Sequence, residues 1–171
     1  LHLAIRTRST GARKTVEGQI GTCFNRAMSP AHALVEKEGH VLVVTMNRPE
    51  AKNALSPDML WRMYEAWRQL DADADLRCAI LTGAGGTFCA GADLEDSPIG
   101  GASARSGKSW AERREIGQLG LRMADALEGM RAVTIAQVHG YAVGGGLVLA
   151  AVCDLRVAAE DTVFSIPEVE L

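Results

Sequence analysis

Three consecutive glycines, Gly144, Gly145 and Gly146, join two apolar segments of this 171-residue chain. Residues 132–138 (AVTIAQV) are β-branched and uncharged, and read as a buried strand. His139, Gly140 and Tyr141 turn the chain. From Gly145 onward, GGLVLAAV carries no charge and reads as the start of a buried helix. Glycine lets a backbone N–H approach a ligand with no Cβ in the way. The first N–H groups of a helix lack internal partners and carry partial positive charge. That combination suits an anion or a developing oxyanion. The same glycines also fit a tight strand-to-helix turn packed on a neighbour, and a Gly-rich loop alone does not separate the two.

A second turn has a similar construction. Residues 78–82 (CAILT) read as a buried strand, and GAGGTFCAGADL (83–94) follows, with small residues at Ala90, Gly91 and Ala92. Each turn could offer one N–H to a single oxygen, as an oxyanion hole requires. Two purely structural turns fit the spacing equally. A carboxylate, Glu168, stands after Ile166 and Pro167. It is a suitable group for general acid–base work, and an ordinary surface or capping glutamate by its type alone.

Five segments, NRPEAKNAL (47–55), FCAGADL (88–94), HGYAVGGG (139–146), CDLRVA (153–158) and FSIPEV (164–169), occur in an order and spacing that resemble the enoyl-CoA hydratase/isomerase family, the crotonase superfamily. The resemblance covers about residues 33–171, the N-terminal part of a usual family domain. It implies an α/β fold, a crotonase-like spiral of repeated ββα units, ending here before the C-terminal helical region. It implies an acyl-CoA thioester as substrate, in fatty acid metabolism. Coenzyme A is then part of the substrate, with no separate cofactor and no metal. The amides of Ala92 and Gly145 would hold the thioester oxygen as an enolate develops, and Glu168 would be the catalytic acid or base. Ala51, Lys52, Ala54 and Ala90 would lie along the CoA moiety. Gly91, Asp93, Leu94, Gly144, Val148 and Pro167 would border the substrate. Complete members of the family form homotrimers or hexamers.

The chain departs from the hydratase pattern at one place. Hydratases of the family usually carry two glutamates, of which the second aligns with Glu168 and the first with Val148. Two carboxylates can position a water, take its proton and return one to the α-carbon. Valine does none of this, and each such group is typically worth ~10²–10⁴-fold. A single base can still shuttle a proton between two carbons, so isomerisation is favoured over hydration. The alternative is a non-catalytic acyl-CoA-binding pseudoenzyme or truncated remnant, with a separately encoded C-terminal half as a possible partner.

The elements that must position these groups follow from hydrophobic period and turn chemistry. Residues 33–37 and 40–46 read as a hairpin about Glu38-Gly39. Ser56 reads as the cap of a helix over 57–72 with Pro57 at its first position, and with Leu60, Met63, Tyr64, Trp67 and Leu70 on one face. A second helix over 110–130 places Ile116, Leu119, Met123, Leu127 and Met130 together. Asp93 reads as capping a following helix or bracing its loop. Glu112 and Glu115 read as a solvated face or the border of an acyl pocket, and Glu170 as solvated. Residues 96–108 (DSPIGGASARSGK) are Gly/Ser-rich and read as a mobile loop. The alternation of strands and helices indicates α/β architecture.

Residues 1–27 differ in kind, with five Lys/Arg against the one acid Glu17. They read as a disordered or non-native extension, or as a transit-like peptide, with a partial domain over 28–171. The composition of the whole chain, 47% hydrophobic and 23% charged, is that of a globular protein. A net charge of -3 argues against general nucleic-acid binding. Basic contacts to an anionic CoA would have to be local, with Arg26, Arg48 and Lys52 as candidates. No apolar run reaches the ~18 residues of a membrane span. The four cysteines lack metal or paired spacing, and reduced thiols in a cytoplasmic protein are the simple account.

Overall fold

The structure, a computed structural model, describes residues 31–94 and 109–169. The readings for residues 1–27, Arg26, the 96–108 loop and Glu170 lie outside the described residues. The fold begins with strands β1 (Ala33–Glu38) and β2 (Val41–Met46). They pair antiparallel across a turn in which Gly39 takes φ 59°, a left-handed value open to glycine at no steric cost. Along β2 the residues alternate, so that Leu42, Val44 and Met46 are fully buried.

Helix α1 (Pro57–Ala72) starts where Ser56 Oγ accepts a hydrogen bond from the Met59 amide at 3.2 Å. Pro57 occupies the first turn, where its missing N–H costs nothing. Met59, Met63, Ala66, Trp67 and Leu70 recur at helical spacing and are buried against the sheet. Strand β3 (Cys78–Gly83) then lies parallel to β2. Helix α2 (Trp110–Glu128) buries Leu119, Met123 and Leu127 and packs on α1. Gly129 ends it, two residues short of the expected end at Met130.

Strand β4 (Val133–Val138) pairs parallel to β3. Strand β5 (Tyr141–Val143), helix α3 (Gly145–Val152), strand β6 (Leu155–Ala158) and strand β7 (Val163–Ser165) follow. The main sheet has the order β1-β2-β3-β4-β6, and β5 pairs with β7 in a second small sheet. Parallel neighbours need crossovers, and α1, α2 and α3 provide them. The architecture is therefore α/β.

The second layer is larger than its named strands. Single bridges join Leu55 to Ala92 and Cys89 to Ala142. The backbone after each main-sheet strand thus adds a rung: residues near Leu55, then 89–92, then β5, then β7. This is the expected repetition of ββα units. Residues 139–141 do not simply turn the chain, because Tyr141 already begins β5. Three residues are too few to show a period, and their partner β7 lies about twenty residues on.

The segment CDLRVA joins α3 to the sheet. Thr134 donates both its amide and its hydroxyl to Asp154 Oδ2, at 2.8 Å each. The Asp154 amide donates back to Thr134 Oγ1 at 3.1 Å. Arg156 Nη1 donates to the carbonyls of Ala150, Ala151 and Cys153, the unsatisfied end of α3. The helix is less buried than its apolar sequence suggests. Gly146, Leu149 and Ala150 are buried, but Val148 is 53% exposed. All four residues of β6 are exposed as well.

Candidate active site

Residues 89–93 carry the first turn, and their amides can be followed one by one. Cys89 donates to the Tyr141 carbonyl at 3.0 Å and Ala90 to the Lys52 carbonyl at 3.0 Å. Gly91 donates to Cys89 Sγ at 3.4 Å, and Asp93 to the Leu55 carbonyl at 3.4 Å. Leu55 in turn donates to the Gly91 carbonyl at 2.8 Å. In this parallel bridge Leu55 bonds the two residues flanking Ala92. The N–H of Ala92 therefore faces the opposite side. Among the described residues, that amide has no protein acceptor.

The second turn meets it there. Val143 donates to the Cys89 carbonyl at 2.9 Å and Gly144 to the Ser165 carbonyl at 2.9 Å. Gly144 takes φ 50° as the N-cap of α3. Gly145 is the first residue of α3, so its amide has no partner within the helix, and none elsewhere among the described residues. A Cβ on Gly145 would stand 3.8 Å from the Ala92 nitrogen, and one on Gly91 would stand 3.4 Å from the Gly145 nitrogen. The two N–H groups are therefore neighbours. Gly146 makes this approach possible, because a Cβ there would collide with the Cys89 carbonyl.

Beside these amides is an open, mainly apolar cleft of about 410 Å³. Leu55 and Leu60, Gly117, Gly120 and Leu121 of α2, and Ala92, Gly145 and Val148 line it. Asp93 borders it too. The structure thus brings Ala92, Asp93, Gly145 and Val148 together. Ala51, Lys52, Ala54 and Ala90 are joined by backbone hydrogen bonds, from Ala90 to the Lys52 carbonyl and from Ala54 to the Ala51 carbonyl, at 3.0 Å each. Ala51 ends a 3₁₀ turn (Pro49–Ala51), and Lys52 follows in the left-handed conformation with its side chain exposed. Gly91 and Gly144 are buried within the two turns. Leu94 is 82% exposed. Pro167 and the backbone of Glu168 lie in a 3₁₀ turn (Pro167–Val169). That turn begins two residues after Ser165, whose carbonyl holds Gly144.

Two groups acquire roles that residue type did not disclose. Asn53 is fully buried with φ 55°. Its Oδ1 accepts from the Arg48 amide at 2.8 Å, and its Nδ2 donates to the carbonyls of Ala84 at 2.9 Å and Thr87 at 2.6 Å. It joins the 48–55 segment to the loop that carries Cys89. Its readiness to adopt the left-handed region was the available signal. Arg48, a candidate contact for CoA, turns inward. Its Nη1 donates to Asp93 Oδ2 at 2.6 Å and to the Ala54 carbonyl at 3.0 Å. Through this ion pair Asp93 braces its loop against the 48–54 segment.

The thiols near the site are inert. Burial pushes Cys89 up to about 11, with the Gly91 amide opposing it, and burial pushes Cys153 to about 11 as well. Neither is a thiolate at neutral pH. Among the described residues no cluster of His, Cys, Asp or Glu could hold a metal ion.

Comparison with known proteins gives a consistent result. The sequence profile described as enoyl-CoA hydratase/isomerase matches residues 36–171. An enoyl-CoA hydratase of Mycobacterium tuberculosis is 46% identical over 139 residues, covering 80% of this chain and 49% of that protein. A short-chain-enoyl-CoA hydratase of Clostridium acetobutylicum is 40% identical, covering 82% and 51%. Among solved structures, an enoyl-CoA hydratase/carnithine racemase from Magnetospirillum magneticum superposes with a TM-score of 0.72 at 31% identity, covering 83% of this chain and 51% of that one. The chain spans about half the length of the curated relatives it matches.

Proposed function

Since the chain belongs to the enoyl-CoA hydratase/isomerase family and has the family's α/β fold, we propose that it takes an acyl-CoA thioester, in fatty acid metabolism, and stabilises its enolate. The Ala92 and Gly145 amides hold the thioester oxygen, and the acyl chain enters the apolar cleft beside them. The observation that carries this reading is the pair of neighbouring N–H groups at the edge of that cleft that have no acceptor among the described residues. Charge grows on the oxygen as a proton leaves the α-carbon, so the donors bind the transition state more tightly than the ground state. The N-terminus of α3 adds its dipole at the same point. Removing one such donor typically costs ~10²–10³ in rate.

Glu168 is the proton-handling group of this proposal, on a turn linked through Ser165 to Gly144. Val148 lines the cleft; by the family resemblance it stands where hydratases carry their other carboxylate, and its side chain holds no proton. The reading therefore favours the shift of a double bond, with Glu168 removing a proton from one carbon and returning it two carbons away. Hydration is the second reading, favoured by the names of the relatives, which are hydratases. Parallel assays on 2-enoyl- and 3-enoyl-CoA decide between them. We expect isomerisation to exceed hydration and Glu168→Gln to lower it by ~10²–10⁴-fold. Rapid hydration that survives Glu168→Gln would overturn the assignment.

The proposal extends to a cytoplasmic protein that assembles through its open side. Cys78, Cys89 and Cys153 are free thiols, and among the described residues no helix is long and apolar enough to cross a membrane. Leu155, Val157, Val163 and Phe164 are exposed apolar residues on β6 and β7. Such a patch suits a partner surface, either a polypeptide like the other half of the relatives or further copies in a trimer or hexamer.

A further inference from the structure

We propose that Arg48 is a positioning residue that aims the Ala92 amide, acting through Asp93 and Ala54. The inference rests on the oxyanion role given above to Ala92 and Gly145. The direction of the Ala92 N–H is set by the bridge to Leu55. One of that bridge's bonds is good, at 2.8 Å from Leu55 to Gly91. The other, from the Asp93 amide to Leu55, is long at 3.4 Å and weak at that distance.

Arg48 closes that end. A single nitrogen, Nη1, donates to Asp93 Oδ2 at 2.6 Å and to the Ala54 carbonyl at 3.0 Å. Asp93 follows Ala92 and Ala54 precedes Leu55, so the guanidinium clamps the bridge across both of its strands. The side chains are only 17% and 10% exposed, so water and salt screen the pair little. Arg48 is itself anchored. Its amide donates to Asn53 Oδ1, and its carbonyl accepts from Ala51 at 3.0 Å and Asn53 at 2.8 Å. The planar guanidinium keeps its donors in a fixed geometry, unlike a lysine ammonium.

A ligand pair separates aiming from folding. Binding to the full chain is measured by calorimetry for butyryl-CoA and for butyl-CoA, the thioether with CH2 in place of the carbonyl. Wild type is expected to prefer the thioester by about tenfold, one hydrogen-bonded oxygen's worth. Arg48→Gln should abolish that preference while the thioether affinity stays within about twofold of wild type. Arg48→Lys should retain part of the preference. Asp93→Asn, which keeps the shape, is read the same way and serves if Arg48→Gln does not fold. Equal weakening of both ligands means a purely structural ion pair and overturns the inference. Full preference in a folded Arg48→Gln protein overturns it too, while leaving the oxyanion reading intact. Lack of preference in wild type removes the oxyanion reading and the inference with it.

Discussion

Replacing Gly91 with alanine tests the join between the two turns. Gly91 has φ 91°, a conformation that costs an L residue about 1–3 kcal/mol. The new Cβ would stand 2.8 Å from the Val143 carbonyl oxygen and 3.5 Å from its carbon. Both atoms are backbone, so relief requires moving β5 or the 89–93 segment rather than rotating a side chain. Losing the Val143-to-Cys89 hydrogen bond of 2.9 Å would add about 1 kcal/mol. The sum of about 2–4 kcal/mol lowers the melting temperature by roughly 5–15 °C for a chain of this size. The same displacement separates the Ala92 and Gly145 amides, so the preference for thioester over thioether should fall with it. The assay is thermal unfolding by circular dichroism, with the ligand pair measured below the transition. Gly86→Ala is the control, because among the described residues a Cβ there meets nothing within 4 Å. A Gly91→Ala protein that melts within about 1 °C of wild type and keeps its ligand preference would mean that Gly91 does not join the two turns.

Gly120→Leu should fold normally, since among the described residues a Cβ at Gly120 meets only Leu60 Cδ1 at 3.9 Å. It should fill the cleft, weakening a long acyl-CoA about tenfold with little effect on acetyl-CoA. Equal effects on both chain lengths would remove this cleft as the acyl site. The amide and hydroxyl of Thr134 hold the Asp154 carboxyl below its ordinary value of 3.8. Its contribution to stability is therefore present above that value and lost as pH falls through the lowered one. Melting temperatures of wild type and Asp154→Asn should differ at pH 5 and converge near pH 2; a gap that widens in acid contradicts this.

The parts of the fold that were legible in the sequence are those with a local cause. Ser56 and Pro57 mark the start of α1 because a cap acts within one helical turn. Met63, Trp67 and Leu70 mark its buried face because period and burial coincide on a helix packed on one side. The alternating residues of β2 and the turn at Gly39 were readable for the same reason. β5 was not, since three residues acquire strand geometry only by meeting β7. The exposure of Val148 was not either, because apolar composition is silent on which face of α3 is covered.

The family, the two glycine-rich turns and the residue types available at the site, Val148 among them, were already set in the order of the amino acids. These are properties of composition and short-range spacing, and they persist whatever the chain's path. Tertiary structure decided where the N–H groups point. Leu55 turns Ala92 outward by bonding its neighbours, Gly146 lets α3 rest against Cys89, and Ser165 fixes Gly144. It also paired Arg48 with Asp93, 45 positions away in the chain. Hydrogen bonds act over about 3 Å, and which distant residues come that close is settled only when the sheet layers and crossover helices are in place.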